Sequence, residues 1–137
     1  MSRLGGGMAT ITVYDETTSG ARTNELTLEF LNERVSVREL IRSRVYQEVT
    51  EYNARMPEYY RGLVQPTDAE RVLNGYRVRE RRKLDWEAQY RKAIRAFHGN
   101  GFMILVDDRQ VDELDAEVEL RPDSTVTFLK LVPLVGG

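Results

Sequence analysis

Three stretches of this sequence carry groups that could do chemistry, and each implies a different kind. Asp107, Asp108 and Asp112 lie close together, as carboxylates for metal binding or acid–base work would. They also sit between two short apolar runs, where Asp-Asp is ordinary turn chemistry, and that reading is the stronger. The second stretch is basic: Arg71, Arg77, Arg79, Arg81, Arg82, Lys83, Arg91, Lys92 and Arg95. Such a block suits phosphate or an acidic protein face, with Arg77, Arg79, Arg81, Arg82 and Lys83 as its partner-binding patch. Its plainer reading is a solvated helix face. The third stretch is the C-terminal run Pro133-Leu134-Val135-Gly136-Gly137.

Other chemistries are excluded by composition. There is no cysteine, so disulfides, thiolate zinc sites and cysteine nucleophiles are absent. His98 is the sole histidine, which removes multi-histidine metal centres; no metal site and no bound cofactor are expected. No G-x-x-x-x-G-K phosphate loop occurs.

The 137 residues carry 20 basic and 22 acidic side chains, yet the charge is unevenly spread. Residues 1–70 are net −3, residues 71–95 net +6 and residues 96–137 net −5. The acidic total argues against a nucleic-acid partner. A 41% hydrophobic content supports a packed core, and 137 residues suit one domain. No apolar run approaches the ~20 residues that span a bilayer, so no membrane association is expected. The start shows no apolar signal region; the expected compartment is the cytoplasm.

Several elements must position these groups. Residues 1–8, with Gly5-Gly6-Gly7, read as a flexible leader to a single domain over 9–132. Residues 9–15 alternate, with Ile11 and Val13 on one face. Residues 25–31 alternate likewise through Leu26, Leu28 and Phe30, giving an antiparallel hairpin. Ser36-Val37-Arg38-Glu39 fits a capping box, and Val37, Leu40, Ile41, Val45, Val49 and Tyr52 follow at helical spacing up to Pro57. Residues 57–100 read as a helical insertion. Thr67-Asp68-Ala69-Glu70 is a second capping-box candidate and Asn74-Gly75 a helix stop. Asp85 then caps a helix whose stripe of Trp86, Tyr90, Ala93, Ile94 and Phe97 reads as core. Strands are expected at 102–106, 109–111 and 125–132, with Leu114, Val118 and Leu120 pinning the acidic stretch between. This order favours an α+β fold, with a mixed sheet on one main helix and the first and last strands paired in parallel.

The element order and four short motifs resemble the ubiquitin-like, β-grasp family. Thr27-Leu28-Glu29 resembles a ubiquitin strand segment. Ser36-Val37-Arg38-Glu39-Leu40-Ile41 is similar to the helix start of sulfur carriers, including the molybdopterin synthase small subunit and the thiamine sulfur carrier. Asp123-Ser124-Thr125-Val126 resembles the ubiquitin approach to its tail, and Pro133 followed by Gly136-Gly137 resembles the molybdopterin-type ending. The likeness covers about residues 9–56 and 102–137. The segment between departs from it, and the apolar tail is similar to those of bacterial ubiquitin-like proteins from antiphage conjugation systems.

The resemblance implies a modifier whose Gly137 carboxylate is adenylated with ATP by a partner activating enzyme. It would then pass as a thioester through a conjugating enzyme to an amine of a target protein. Glycine has no Cβ to obstruct a narrow channel, so Gly136 would give clearance. Pro133 would stiffen the exit, and Leu134 and Val135 would give apolar recognition. The four residues after Pro133 reach at most ~14 Å. The chain itself would not be an enzyme. Against 17 arginines there are three lysines, Lys83, Lys92 and Lys130, which bounds the acceptors for chain extension. Two alternatives stand beside this reading: a sulfur carrier ending in a thiocarboxylate, and a non-conjugated self-assembling domain whose basic block meets a neighbour's acidic third.

Overall fold

The structure, a computed structural model, describes residues 9–73 and 75–131. The leader and the Pro133–Gly137 run therefore lie outside the described residues, as does the end of the strand expected to reach Val132. Alternation through Ala9–Thr17 (β1) and Arg22–Phe30 (β2) produces an antiparallel hairpin. Its turn uses Gly20 at a φ of 89°, which L side chains rarely adopt. The register Ile11↔Leu28 and Val13↔Leu26 brings both apolar sets to one face. The outer edge of β2 is covered locally: the Gln47 side chain accepts from the Glu29 N–H at 3.2 Å and donates to its carbonyl at 2.9 Å. That removes part of a template for unwanted strand pairing.

Arg34–Ser36 (β3) leads straight into Val37–Arg55 (α1). The Glu39 N–H donates to Ser36 Oγ at 3.1 Å, the first half of the expected box. Glu39 does not bond back to the Ser36 backbone; its carboxylate accepts from Ser43 Oγ at 2.7 Å. The helix ends at Met56 in the left-handed region, φ 48°, just before Pro57. The expected stripe is buried, and Ser43 and Arg44 are buried with it.

The helical reading of residues 57–100 holds only for its second half. Thr67–Glu70 starts no helix: Ala69–Val72 (β4) and Gly75–Val78 (β5) form an antiparallel hairpin. Asp68 has a φ of 58°, incompatible with helix entry, and Asn-Gly serves hairpin turns as well as helix ends. Tyr60 and Tyr76 exchange backbone hydrogen bonds of 2.7 and 2.9 Å, giving the hairpin a third, single-residue partner. The helix expected after Asp85 is present as Trp86–His98 (α2), with the Glu87 N–H donating to Asp85 Oδ1 at 3.1 Å. Ala93 and Phe97 are buried and Trp86, Tyr90 and Ile94 half-buried, as a core stripe requires.

Phe102–Val106 (β6) turns through Asp107 and Asp108, both at positive φ (50° and 67°), into Arg109–Val111 (β7). Glu117–Glu119 (β8) pairs with β3, and Thr125–Lys130 (β9) closes the main sheet. Its order is β2-β1-β9-β6-β7, with β1 and β9 parallel and the other neighbours antiparallel. The fold is α+β. Ile11, Val13, Leu28, Phe30, Ile104, Val126 and Phe128 share the buried face. Ring contacts of 5.8 Å from Phe97 to Phe102 and from Phe102 to Phe128 carry α2 into that core. Among the described residues no helix is long and apolar enough to cross a membrane.

Candidate functional site

β9 lies between β1 and β6, so the chain leaves the sheet from its middle. Lys130 pairs with Thr17 on one side and Phe102 on the other. The Leu131 N–H still donates to the Gly101 carbonyl at 3.1 Å. Whatever follows residue 131 starts from this anchored point. Pro133, Leu134, Val135, Gly136 and Gly137 lie outside the described residues.

A buried ionic cluster stands behind the exit. Arg44, fully buried on α1, donates through both terminal nitrogens to Asp15 on β1, with Nη2 to Oδ2 at 2.8 Å. Its Nε donates to Glu48 Oε1 at 2.9 Å, and the guanidinium lies 4.6 Å from the Phe128 ring centre. The other Glu48 oxygen accepts from Tyr60 OH at 3.0 Å and from the Leu63 N–H at 2.9 Å. Lys130 Nζ donates to the Gly62 carbonyl at 2.9 Å and lies 3.8 Å from Asp15. The arrangement ties α1, β1, β9 and the 60–63 segment together. No buried side-chain nitrogen or oxygen among the described residues lacks a partner.

The electrostatics follow from these contacts. Burial alone would raise the Asp15 carboxyl, but the Arg44 guanidinium, with Lys130 and Asn24 adding to it, holds it below the usual carboxylate range. Burial pushes the Lys130 ammonium down, with Asp15 opposing. Burial first, then the Glu48 charge, pushes the Tyr60 phenol up. The cluster is a brace: every group is engaged, and none is presented as a nucleophile or base.

In front of the brace is an open cavity of about 390 Å³ whose wall includes Asp15, Arg61, Arg71, Tyr76, Lys130 and Leu131. A second, of about 490 Å³, lies between β2, the C-terminal half of α1 and residues 57–61.

The predicted basic patch is divided rather than continuous. Arg81 donates to the Met56 carbonyl and Arg82 to the Thr67 carbonyl, so two of its cations clasp loops. Arg77 pairs with Glu70 at 3.2 Å. Arg79 and Lys83 are exposed, and neither side chain has a partner among the described residues. Of the three candidate acceptor lysines, Lys83 is thus open. Lys92 donates to the Gln65 carbonyl and Thr67 Oγ1 at 3.1 and 2.9 Å, and Lys130 belongs to the brace. Asp107 and Asp108 form the β6–β7 turn, as their turn reading requires. No group of three or more metal-ligating side chains occurs among the described residues.

The brace was missed in the sequence, although a signal existed. Asp15 is in phase with Ile11 and Val13, and Arg44 and Glu48 stand four apart beside Val45 and Val49 on the apolar stripe.

Compared with protein-family models, curated proteins and solved structures, the chain shows no significant match.

Proposed function

We propose that the chain is a ubiquitin-like modifier of the β-grasp type. The carboxylate of Gly137, preceded by Gly136, would be the group that a partner enzyme activates and joins to an amine of a target protein. The observation that carries this reading is the parallel β1–β9 pair at the centre of the order β2-β1-β9-β6-β7, to which α1 is tied by Arg44, bonded to Asp15 on β1 and lying over Phe128 on β9. That order sends the chain out of the middle of a braced sheet, six residues before Gly137.

The chemistry belongs to the partners. A carboxylate oxygen attacks the α-phosphorus of ATP and pyrophosphate leaves. A thiolate attacks the resulting acyl carbon and AMP leaves. A target amine then displaces the thiolate, forming the amide. In this reading Gly136, without a Cβ, clears the partner's channel, and Pro133, Leu134 and Val135 orient the segment there.

The test is incubation of the full chain with ATP and a ubiquitin-type adenylating enzyme, once with and once without added sulfide, followed by intact-mass analysis. A thiol-labile adduct with the enzyme that disappears on deletion of Gly137 is the expected result. A sulfur-for-oxygen change in mass when sulfide is supplied, with sulfide attacking the acyl adenylate and AMP leaving, would replace the modifier with the sulfur-carrier reading. An adduct that survives the deletion would remove the terminal carboxylate from the mechanism.

A further inference from the structure

The 390 Å³ cavity carries an excess of positive charge. Asp15, its carboxylate, is matched within the brace, where Arg44 and Lys130 face Asp15 and Glu48. Arg61 and Arg71 on its wall are exposed, and neither guanidinium has a carboxylate partner among the described residues. Lys130, also on the wall, is held by Asp15 and the Gly62 carbonyl, so the uncompensated charge is that of Arg61 and Arg71. A concave wall with two uncompensated cations favours an anionic occupant.

The molecule also carries the complementary shape. Asp107 and Asp108 form a two-residue hairpin tip with both φ angles positive. Asp108 is exposed and its carboxylate has no partner among the described residues. Asp107 uses one oxygen to accept from the Thr125 N–H at 2.9 Å, leaving the other. Asp112 and Glu113, also exposed, follow soon after and reinforce the negative field.

Tip and cavity sit at opposite ends of one strand. The β6–β9 register places Phe102, on the cavity wall, beside Lys130, and Val106, which precedes the tip, beside Val126. Five strand residues separate the two sites by roughly 16 Å. A tip therefore cannot enter its own cavity.

We propose that the Asp107–Asp108 tip of one copy docks in the Arg61/Arg71 cavity of a second copy, joining chains head to tail. Such a contact is heterologous, so it propagates into rings or open filaments rather than stopping at a symmetric dimer. A single turn in a pocket covers less surface than a stable dimer needs, so the association is weak, concentration-dependent and salt-sensitive. This inference is independent of the modifier reading.

The test is sedimentation velocity of the full chain at about 0.01 M and about 1 M salt, across which screening goes from weak to nearly complete. The wild type should gain mass with concentration at low salt and be monomeric at high salt. Asp108→Gly, which suits the positive φ while deleting the charge, and Arg71→Glu should each be monomeric at low salt. An equimolar mixture of Asp108→Lys and Arg71→Glu has one good tip and one good cavity, and should form dimers and nothing larger. The double variant Asp108→Lys/Arg71→Glu should recover part of the self-association. A wild type that stays monomeric at low salt would overturn the proposal. So would an Asp108→Gly variant that associates like the wild type, or a mixture that forms no dimer.

Discussion

The sheet with α1 and the segment running from Pro57 to Leu84 are held by different forces. In the first, Ile11, Val13, Ile41, Val45, Ile104, Val126 and Phe128 are all fully buried, and apolar burial contributes about 25 cal/mol per Å². The second has apolar anchors too, Tyr60, Leu63, Ala69, Val78 and Leu84, none of them as completely buried as those of the first. It is docked by side chains that reach for its backbone. Asn53 exchanges two hydrogen bonds with Leu84, at 2.9 and 2.8 Å. Gln89 donates to the Val64 carbonyl at 3.1 Å, Lys92 to that of Gln65 and Lys130 to that of Gly62. A layer held by distributed burial tolerates the loss of one group. A segment held by directed bonds depends on each donor, because an unpaired buried group costs more than a made bond contributes.

The largest effect should come where the two regions meet. Arg44→Met leaves Asp15 and Glu48 without their common cation and should cost about 3–5 kcal/mol in urea unfolding. The sign of its pH dependence sharpens the point. The lowered Asp15 carboxyl contributes stability above its usual value of 3.8 that is lost as pH falls through the folded value. The cost of Arg44→Met should therefore be greatest near neutrality and shrink in acid. An unchanged cost at pH 3 would show that the pairing is not what the substitution removes.

Next in size is Gly62→Ala. A Cβ there would lie 2.1 Å from the Tyr60 ring, whose hydroxyl is tied to Glu48. The expected cost is about 2 kcal/mol. Hydrogen exchange should show amides of 60–78 losing protection while β1 and β9 keep theirs; equal loss in both regions would contradict the contrast drawn above. Tyr60→Phe removes only the hydroxyl donor and should cost about 1.5 kcal/mol. Smallest is Asp85→Ala, about 1 kcal/mol, which loses the cap of α2 and should be visible in the melting temperature.

The parts that could be read in advance are those where one rule settled the outcome. Alternation at residues 9–15 and 25–31 specified the first hairpin, and Ser36 before an apolar period specified α1. Asp85 marked α2 in the same way. The hairpin of 69–78 was not readable because Asn-Gly fits two structures, and the choice came from Tyr60 pairing with Tyr76, sixteen positions apart. The basic block was legible as charge but not as a clasp. Nothing in Arg81 and Arg82 indicates that the carbonyls of Met56 and Thr67 will come within reach.

By itself the sequence determined the periodicities of the first hairpin and of both helices, the caps at Ser36 and Asp85, the absence of thiol and multi-histidine chemistry, and the Gly-Gly pair, because these depend on residue type and short spacing. Only the tertiary structure decided that Arg44, Asp15, Glu48, Tyr60 and Lys130 form one cluster, and that a basic cavity and an acidic tip stand at opposite ends of β6. The reason is physical. Helix and strand periods act over a few residues, whereas a buried charge selects its partner by distance in space, and that distance exists only once the sheet has closed.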